Sequence, residues 1–134
     1  AVVSAAFSEF AIPRTKPVEE ILANEMILDV GPFTSDELDT VITMAGTIVW
    51  NGPLGVFEWK AFQEGTRRLA TAIVSSHAYT LAGGGDTLAV IDSLGIEDQL
   101  DYCSTGGGAF LEVMEGKVLP AVQALEKGEQ IIKN

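Results

Sequence analysis

Apolar residues in this chain follow two rhythms. Short runs of β-formers occur at Ala1 to Phe7, Glu25 to Val30, Thr47 to Trp50, Tyr79 to Ala82 and Asp101 to Thr105, and between them lie longer segments with apolar positions at helical spacing. Leu38, Val41, Ile42 and Ala45 stand at i, i+3, i+4 and i+7 between Thr34-Ser-Asp-Glu37, which has capping-box spacing, and Gly46. That pattern predicts a helix packed on a sheet. Trp59 to Ser75 places Phe62, Leu69, Ala70 and Ile73 on one helical face, with Arg67 and Arg68 on a solvated one. Asp86 to Gly95 is a further helix, and Phe110, Leu111 and Met114 mark one face of another. A last helix starts at Leu119-Pro120, carries Val122 and Leu125, and stops before Gly128, leaving Glu129 to Asn134 as a frayed tail. Ile12 to Val18, with Pro13 and Pro17, reads as an extended loop followed by one turn at Val18-Glu-Glu-Ile-Leu22.

A strand, loop and helix thus recur about every thirty residues, the period of βαβ geometry, whose crossovers are right-handed and make consecutive strands parallel. The expected fold is α/β: one mostly parallel sheet with helices on both faces, its strands at Ala1 to Phe7 or Val3 to Phe10, Met26 to Val30, Thr47 to Trp50, Tyr79 to Ala82 and Tyr102 to Thr105. The first residues lie in an apolar β-like run without methionine, as in a chain cut just before or inside a strand.

Charge narrows the partners. Eight basic against nineteen acidic residues give a net charge of -11, which repels nucleic acid and anionic membranes, so a phosphate site here must use backbone dipoles, a metal or a few local cations. The single cysteine forms no internal disulfide, no signal segment or run of eighteen apolar residues occurs, and a soluble, reducing, cytoplasmic setting is expected. Cys103 reads as a small buried hydrophobe and His77 as a solvated loop histidine; neither takes a chemical role, and no zinc spacing exists.

The chemistry concentrates where strands end. Tyr79 to Ala82 runs into Gly83-Gly-Gly85 and then into the helix opened by Asp86-Thr87. A helix start has unpartnered N–H groups and the positive end of the dipole, and glycines let an anion reach the backbone. Asp86 repels that anion unless a cation stands between them, which makes a magnesium phosphate a natural ligand. Taken alone, the stretch is equally a tight turn with Asp86 as helix cap. Two more strands, however, end in glycine loops, Asn51-Gly-Pro-Leu-Gly55 and Gly106-Gly-Gly108, and in an open parallel sheet these loops share the edge where ligands bind.

Trp50-Asn-Gly-Pro-Leu-Gly-Val-Phe-Glu58, Gly83-Gly-Gly-Asp-Thr87 and Ser104-Thr-Gly-Gly-Gly-Ala109, in this order and spacing, resemble the nucleotide-binding half of phosphoglycerate kinase. The resemblance runs essentially from end to end of the chain and implies a Rossmann-like, three-layer αβα domain, incomplete here: residues 1–134 match only the later part of the second of two domains. It implies that Asp86 faces the Mg2+ bridging the phosphates of ATP or ADP, and that Gly84, Gly85 and Thr87 offer donors to phosphate oxygens. Glu58 is implied to hold the ribose hydroxyls, Asn51 and Pro53 to lie near ribose and phosphates, and Val56 near the base. Gly106 and Gly107 are implied to meet the transferred phosphoryl group. Many members carry a glycine where Ile27 stands, so the adenine contact of that strand carries over only to Leu28.

The implied reaction is reversible transfer between 1,3-bisphosphoglycerate and ADP, giving 3-phosphoglycerate and ATP in glycolysis, by an intact enzyme that is a monomer. The family's histidine and basic cluster for phosphoglycerate lie in its first domain and its phosphate-binding lysine early in the second; Lys60, Arg67, Arg68 and Lys117 match neither. The chain alone is therefore expected to be inactive, and a folding or complementation subdomain is the alternative. A nicotinamide-binding domain is less suited, since G-x-G-x-x-G from Gly83 meets Leu88, and no Walker lysine follows any loop.

Overall fold

The computed structural model describes residues 1–132. Its centre is a parallel sheet of β4 (Thr47–Trp50), β5 (Tyr79–Gly83) and β6 (Tyr102–Ser104) in that spatial order, with Trp50 opposite Ala82 and Gly83 opposite Ser104. Helices α2 (Glu64–Ser75) and α3 (Gly85–Leu94) make the crossovers, and α1 (Pro32–Met44) precedes β4. Ile42 of α1, Ala70 and Ile73 of α2, and Val90 and Ile91 of α3 close one core with Trp50 and Ala82, against which Ile48 and Cys103 pack. Burial therefore alternates along β4 and β5 as strand geometry demands. The opposite face is thinly covered: Val49, Tyr79 and Tyr102 are 44%, 52% and 50% exposed. There α4 (Gly108–Met114) lays buried Phe110 against Gly83, so helices do stand on both faces.

The strands near the start of the chain do not join this sheet. β1 (Val2–Ser4) pairs antiparallel with β2 (Arg14–Thr15) and with β3 (Met26–Asp29), in the order β2-β1-β3. A parallel pairing needs a crossover, usually a helix, and the only helical element between β1 and β3 is a 3-10 turn at Val18–Glu20. β2 also places a strand inside the expected Ile12 to Val18 loop. The connection is pinned by Glu25, whose carboxylate accepts hydrogen bonds from Lys16 Nζ, Arg14 and the Leu22 N–H at 2.7–3.0 Å.

Helix boundaries differ from expectation for local reasons. Pro32 occupies the first turn of α1, and Gly31, not Thr34, is its cap; Ser35 donates its N–H and its hydroxyl back to the Gly31 carbonyl. Of the predicted stripe, Leu38 and Ile42 face the core while Val41 is exposed. α2 starts only at Glu64, after a 3-10 turn over Lys60–Phe62. Arg68 is not merely solvated: it donates to Asp36 and Asp39, tying α2 to α1. α3 ends on Gly95 in the left-handed region, as its sequence implies. Helix α5 (Pro120–Ile132) runs through Gly128, so Glu129 to Ile132 are helical; the rest of the expected tail, residues 133 and 134, lies outside the described residues. Met114, expected on the packed face of α4, is exposed.

Candidate functional site

The carboxyl ends of β4, β5 and β6 lie side by side, so the loops at Asn51 to Gly55, Gly83 to Gly85 and Thr105 to Gly108 begin along one edge. The first two are bonded to each other. The Gly52 N–H donates to Thr87 Oγ1 at 2.6 Å, and the Trp50 indole donates to the Gly52 carbonyl at 2.9 Å. Thr87 is buried, so its hydroxyl serves the loop-to-helix contact whatever else it does. Asn51 Oδ1 stands 2.5 Å from where a Cβ on Gly84 would be, and Gly84 has φ 96°, so a side chain there is excluded twice over.

Helices α3 and α4 both start without a side-chain cap, behind Gly84 and behind Gly107 at φ 56°. The first α3 backbone bond runs from the Leu88 N–H to the Gly84 carbonyl, which leaves the N–H groups of Gly85, Asp86 and Thr87 without intrahelical partners. At this end the positive dipole and free donors favour an anion. Gly85 and Asp86 are exposed beside them, and a Cβ on Gly85 would meet open space. In the third loop Gly106 is exposed and its N–H donates to the buried Ser104 hydroxyl at 3.2 Å; Gly107 is half-buried.

The remaining predicted residues are held from a different side. Pro53 and Val56 are half-buried and Glu58 is exposed. The Val56 N–H donates to the Leu28 carbonyl of β3 at 2.8 Å, and the Trp59 N–H to the Val56 carbonyl at 3.1 Å, so Glu58 sits within a turn hung from the antiparallel sheet. Leu28 itself is buried, while Ile27 is exposed. The Leu54 N–H donates to Thr66 Oγ1 at 2.9 Å, fastening the same loop to α2.

Asp29 escaped the sequence reading. It is 2% exposed, and burial pushes its carboxyl above the ordinary range against the pull of the Gly65 and Val30 N–H groups, both 2.8 Å away. The available signal was Gly65 itself, a glycine inside a helical pattern, which implies close packing. Asp101 precedes β6 and is held below the usual carboxylate range by the Thr80 N–H and hydroxyl, a structural bond between strands. His77 is exposed, and burial raises the Cys103 thiol, which favours the unreactive form.

Among known proteins, the family model described as phosphoglycerate kinase matches residues 1–117. The phosphoglycerate kinase of Coxiella burnetii is similar in structure over 91% of this chain, at 52% identity and a TM-score of 0.86, and that of Pyrococcus horikoshii OT3 over 76%, at 39% identity and a TM-score of 0.68. The chain spans 32% and 25% of the lengths of those two proteins. The match takes in β1 to α4 and all three glycine loops, and on it the chain belongs to the phosphoglycerate kinase family.

Proposed function

We propose that residues 1–134 are the later part of a C-terminal nucleotide-binding domain, and that they supply the ATP or ADP side of a cytoplasmic, monomeric phosphoglycerate kinase. The reaction is reversible: a terminal oxygen of the ADP β-phosphate attacks the phosphorus of the 1,3-bisphosphoglycerate acyl phosphate, the bond from phosphorus to the acyl oxygen breaks, and 3-phosphoglycerate leaves as a carboxylate while ATP forms. Such transfer asks the protein for positioning and charge neutralisation more than for covalent chemistry. The observation that carries the reading is the uncapped start of α3 beside the Gly52 to Thr87 bond, where free N–H groups stand next to an exposed acid.

Gly84, Gly85 and Thr87 line the phosphate chain with backbone donors. Asn51 and Pro53 flank them, while Val56 and Glu58 take the base and the ribose. Gly106 and Gly107 present the start of α4 to the phosphoryl group in transfer. Mg2+ suits Asp86, a single exposed carboxylate, because that ion keeps several waters and draws other ligands from phosphates. When bound it offsets charge on the phosphate oxygens. The phosphoglycerate, and the cations that bind it, belong to the parts of the enzyme that this chain does not span, so the chain alone has no transfer activity; a complementation unit is the same reading without turnover.

Calorimetry of ADP on the protein at its full natural length, with and without Mg2+, tests this. Asp86→Asn is expected to remove most of the metal dependence of affinity with the fold preserved. Equal metal dependence in variant and parent rejects the role of Asp86, and no ADP binding by the parent rejects the nucleotide site.

A further inference from the structure

Asp29 lies at the end of β3, in the antiparallel sheet, yet its carboxylate reaches into the start of α2. Oδ2 accepts from the Gly65 N–H and Oδ1 from the Val30 N–H, so the acid caps from outside a helix that has no side-chain cap of its own. The space it occupies exists only because two residues lack side chains. A Cβ on Gly65 would stand 2.4 Å from Oδ1, and one on Gly55 would stand 2.6 Å from it and 2.4 Å from the Leu28 carbonyl oxygen. Gly55 belongs to the loop after β4, so one buried carboxylate fits between three segments far apart in sequence.

We propose that Asp29 is a positioning residue for the nucleoside end of the site: seated in the slot between Gly55 and Gly65, it sets where Val56 and Glu58 stand. The inference rests on the nucleotide reading above. Its route is short. Gly55 lies against Asp29, the next N–H, of Val56, is bonded to Leu28, and the turn closed by Val56 and Trp59 carries Glu58. Gly84 to Thr87 are built on β5 and α3, and they meet the loop after β4 at Asn51 and Gly52, ahead of Gly55. A shift of Asp29 therefore moves the base and ribose contacts and leaves the phosphate contacts in place. An apolar residue could fill the slot, but it would leave the Gly65 N–H buried and unmet.

The test separates nucleoside from phosphate on the protein at its full natural length. Asp29→Asn keeps the shape but turns one acceptor oxygen into an NH2 that cannot receive an N–H. Gly65→Ala instead pushes the intact carboxylate aside. Both are expected to weaken ADP about tenfold, the worth of a lost charge-assisted bond, while binding of inorganic tripolyphosphate with Mg2+ stays unchanged. Sucrose in the buffer keeps a destabilised variant folded for the titration. ADP and tripolyphosphate weakened alike, or ADP unaffected in both folded variants, overturns the positioning role. A parent that binds tripolyphosphate but not ADP overturns the nucleotide reading itself, a result distinct from either.

Discussion

Gly83 is the last residue of β5, and the ring of Phe110 on α4 fills the space where its side chain would be. A Cβ there would stand 2.3 Å from the ring, about 1 Å short of the 3.4 Å at which ordinary contact begins. The backbone of Gly83 is not left-handed, so the obstacle to alanine is this contact alone. A rigid ring gives way only by moving its helix, and overpacking of this kind costs about 1–3 kcal/mol. Phe110→Ala removes the ring at a cost of up to about 3–5 kcal/mol, and it also removes the obstacle. In the double variant the new methyl enters vacated space, so the two losses are expected to fall short of adding by about 1–3 kcal/mol. Urea unfolding of the four proteins, with midpoints and slopes compared, reads that coupling. Losses that add to within about 0.5 kcal/mol would refute the packing of α4 on Gly83. The same contact seats the start of α4, so Gly83→Ala is also expected to slow phosphoryl transfer in the full-length protein while sparing ADP affinity.

Glu25 is held below the usual carboxylate range by the Leu22 N–H, then by Lys16. Its contribution to stability is present above its unfolded pKa, near the ordinary glutamate value of 4.5, and is lost as pH falls through the lower folded value. The difference in melting temperature between parent and Glu25→Gln should be open at neutral pH and close below 4.5; a gap independent of pH would exclude the cage. Asp29 works the other way, its raised carboxyl favouring the fold as pH falls through the window above 3.8, but it is common to both proteins and cancels in the difference. Val49, Tyr79 and Tyr102 form an apolar sheet face, and the outer edge of β4 has no strand neighbour among the described residues, so the 134-residue chain should self-associate. Sedimentation showing a monomer at tens of micromolar would contradict that.

The parallel half of the fold was legible because its signals are local. Each strand is a short β-forming run closed by glycine, and in a parallel sheet the ends of such runs must share one edge; Trp50 opposite Ala82 and Gly83 opposite Ser104 follow from that. The glycine stop of α3 is local as well. The caps were less legible, because Thr34 to Glu37 offers a capping box three residues after Gly31-Pro32 offers another start, and proline at the first turn won.

What stayed hidden was decided by partners remote in sequence. Asp29 read as the polar end of a strand closed by Gly-Pro, and only the fold brings Gly65, thirty-six residues away, against it. The placement of β1 and β3 was hidden for a related reason: their apolar pattern fits a strand in either sheet, and the segment between them, with β2 and one 3-10 turn, lacks the helix that usually makes a parallel crossover. These two features are linked. Because β3 is not hydrogen-bonded into the parallel sheet, the two sheets need another coupling at the site, and the loop after β4 supplies one through the Val56 to Leu28 bond and the fit of Gly55 against Asp29. The residues proposed for the nucleoside are thus hung between two sheets, while Gly84 to Thr87, proposed for the phosphates, stand on one and meet that loop at Asn51 and Gly52, ahead of the Gly55 that lies against Asp29; a shift of this acid is therefore expected to act on the first set more than on the second.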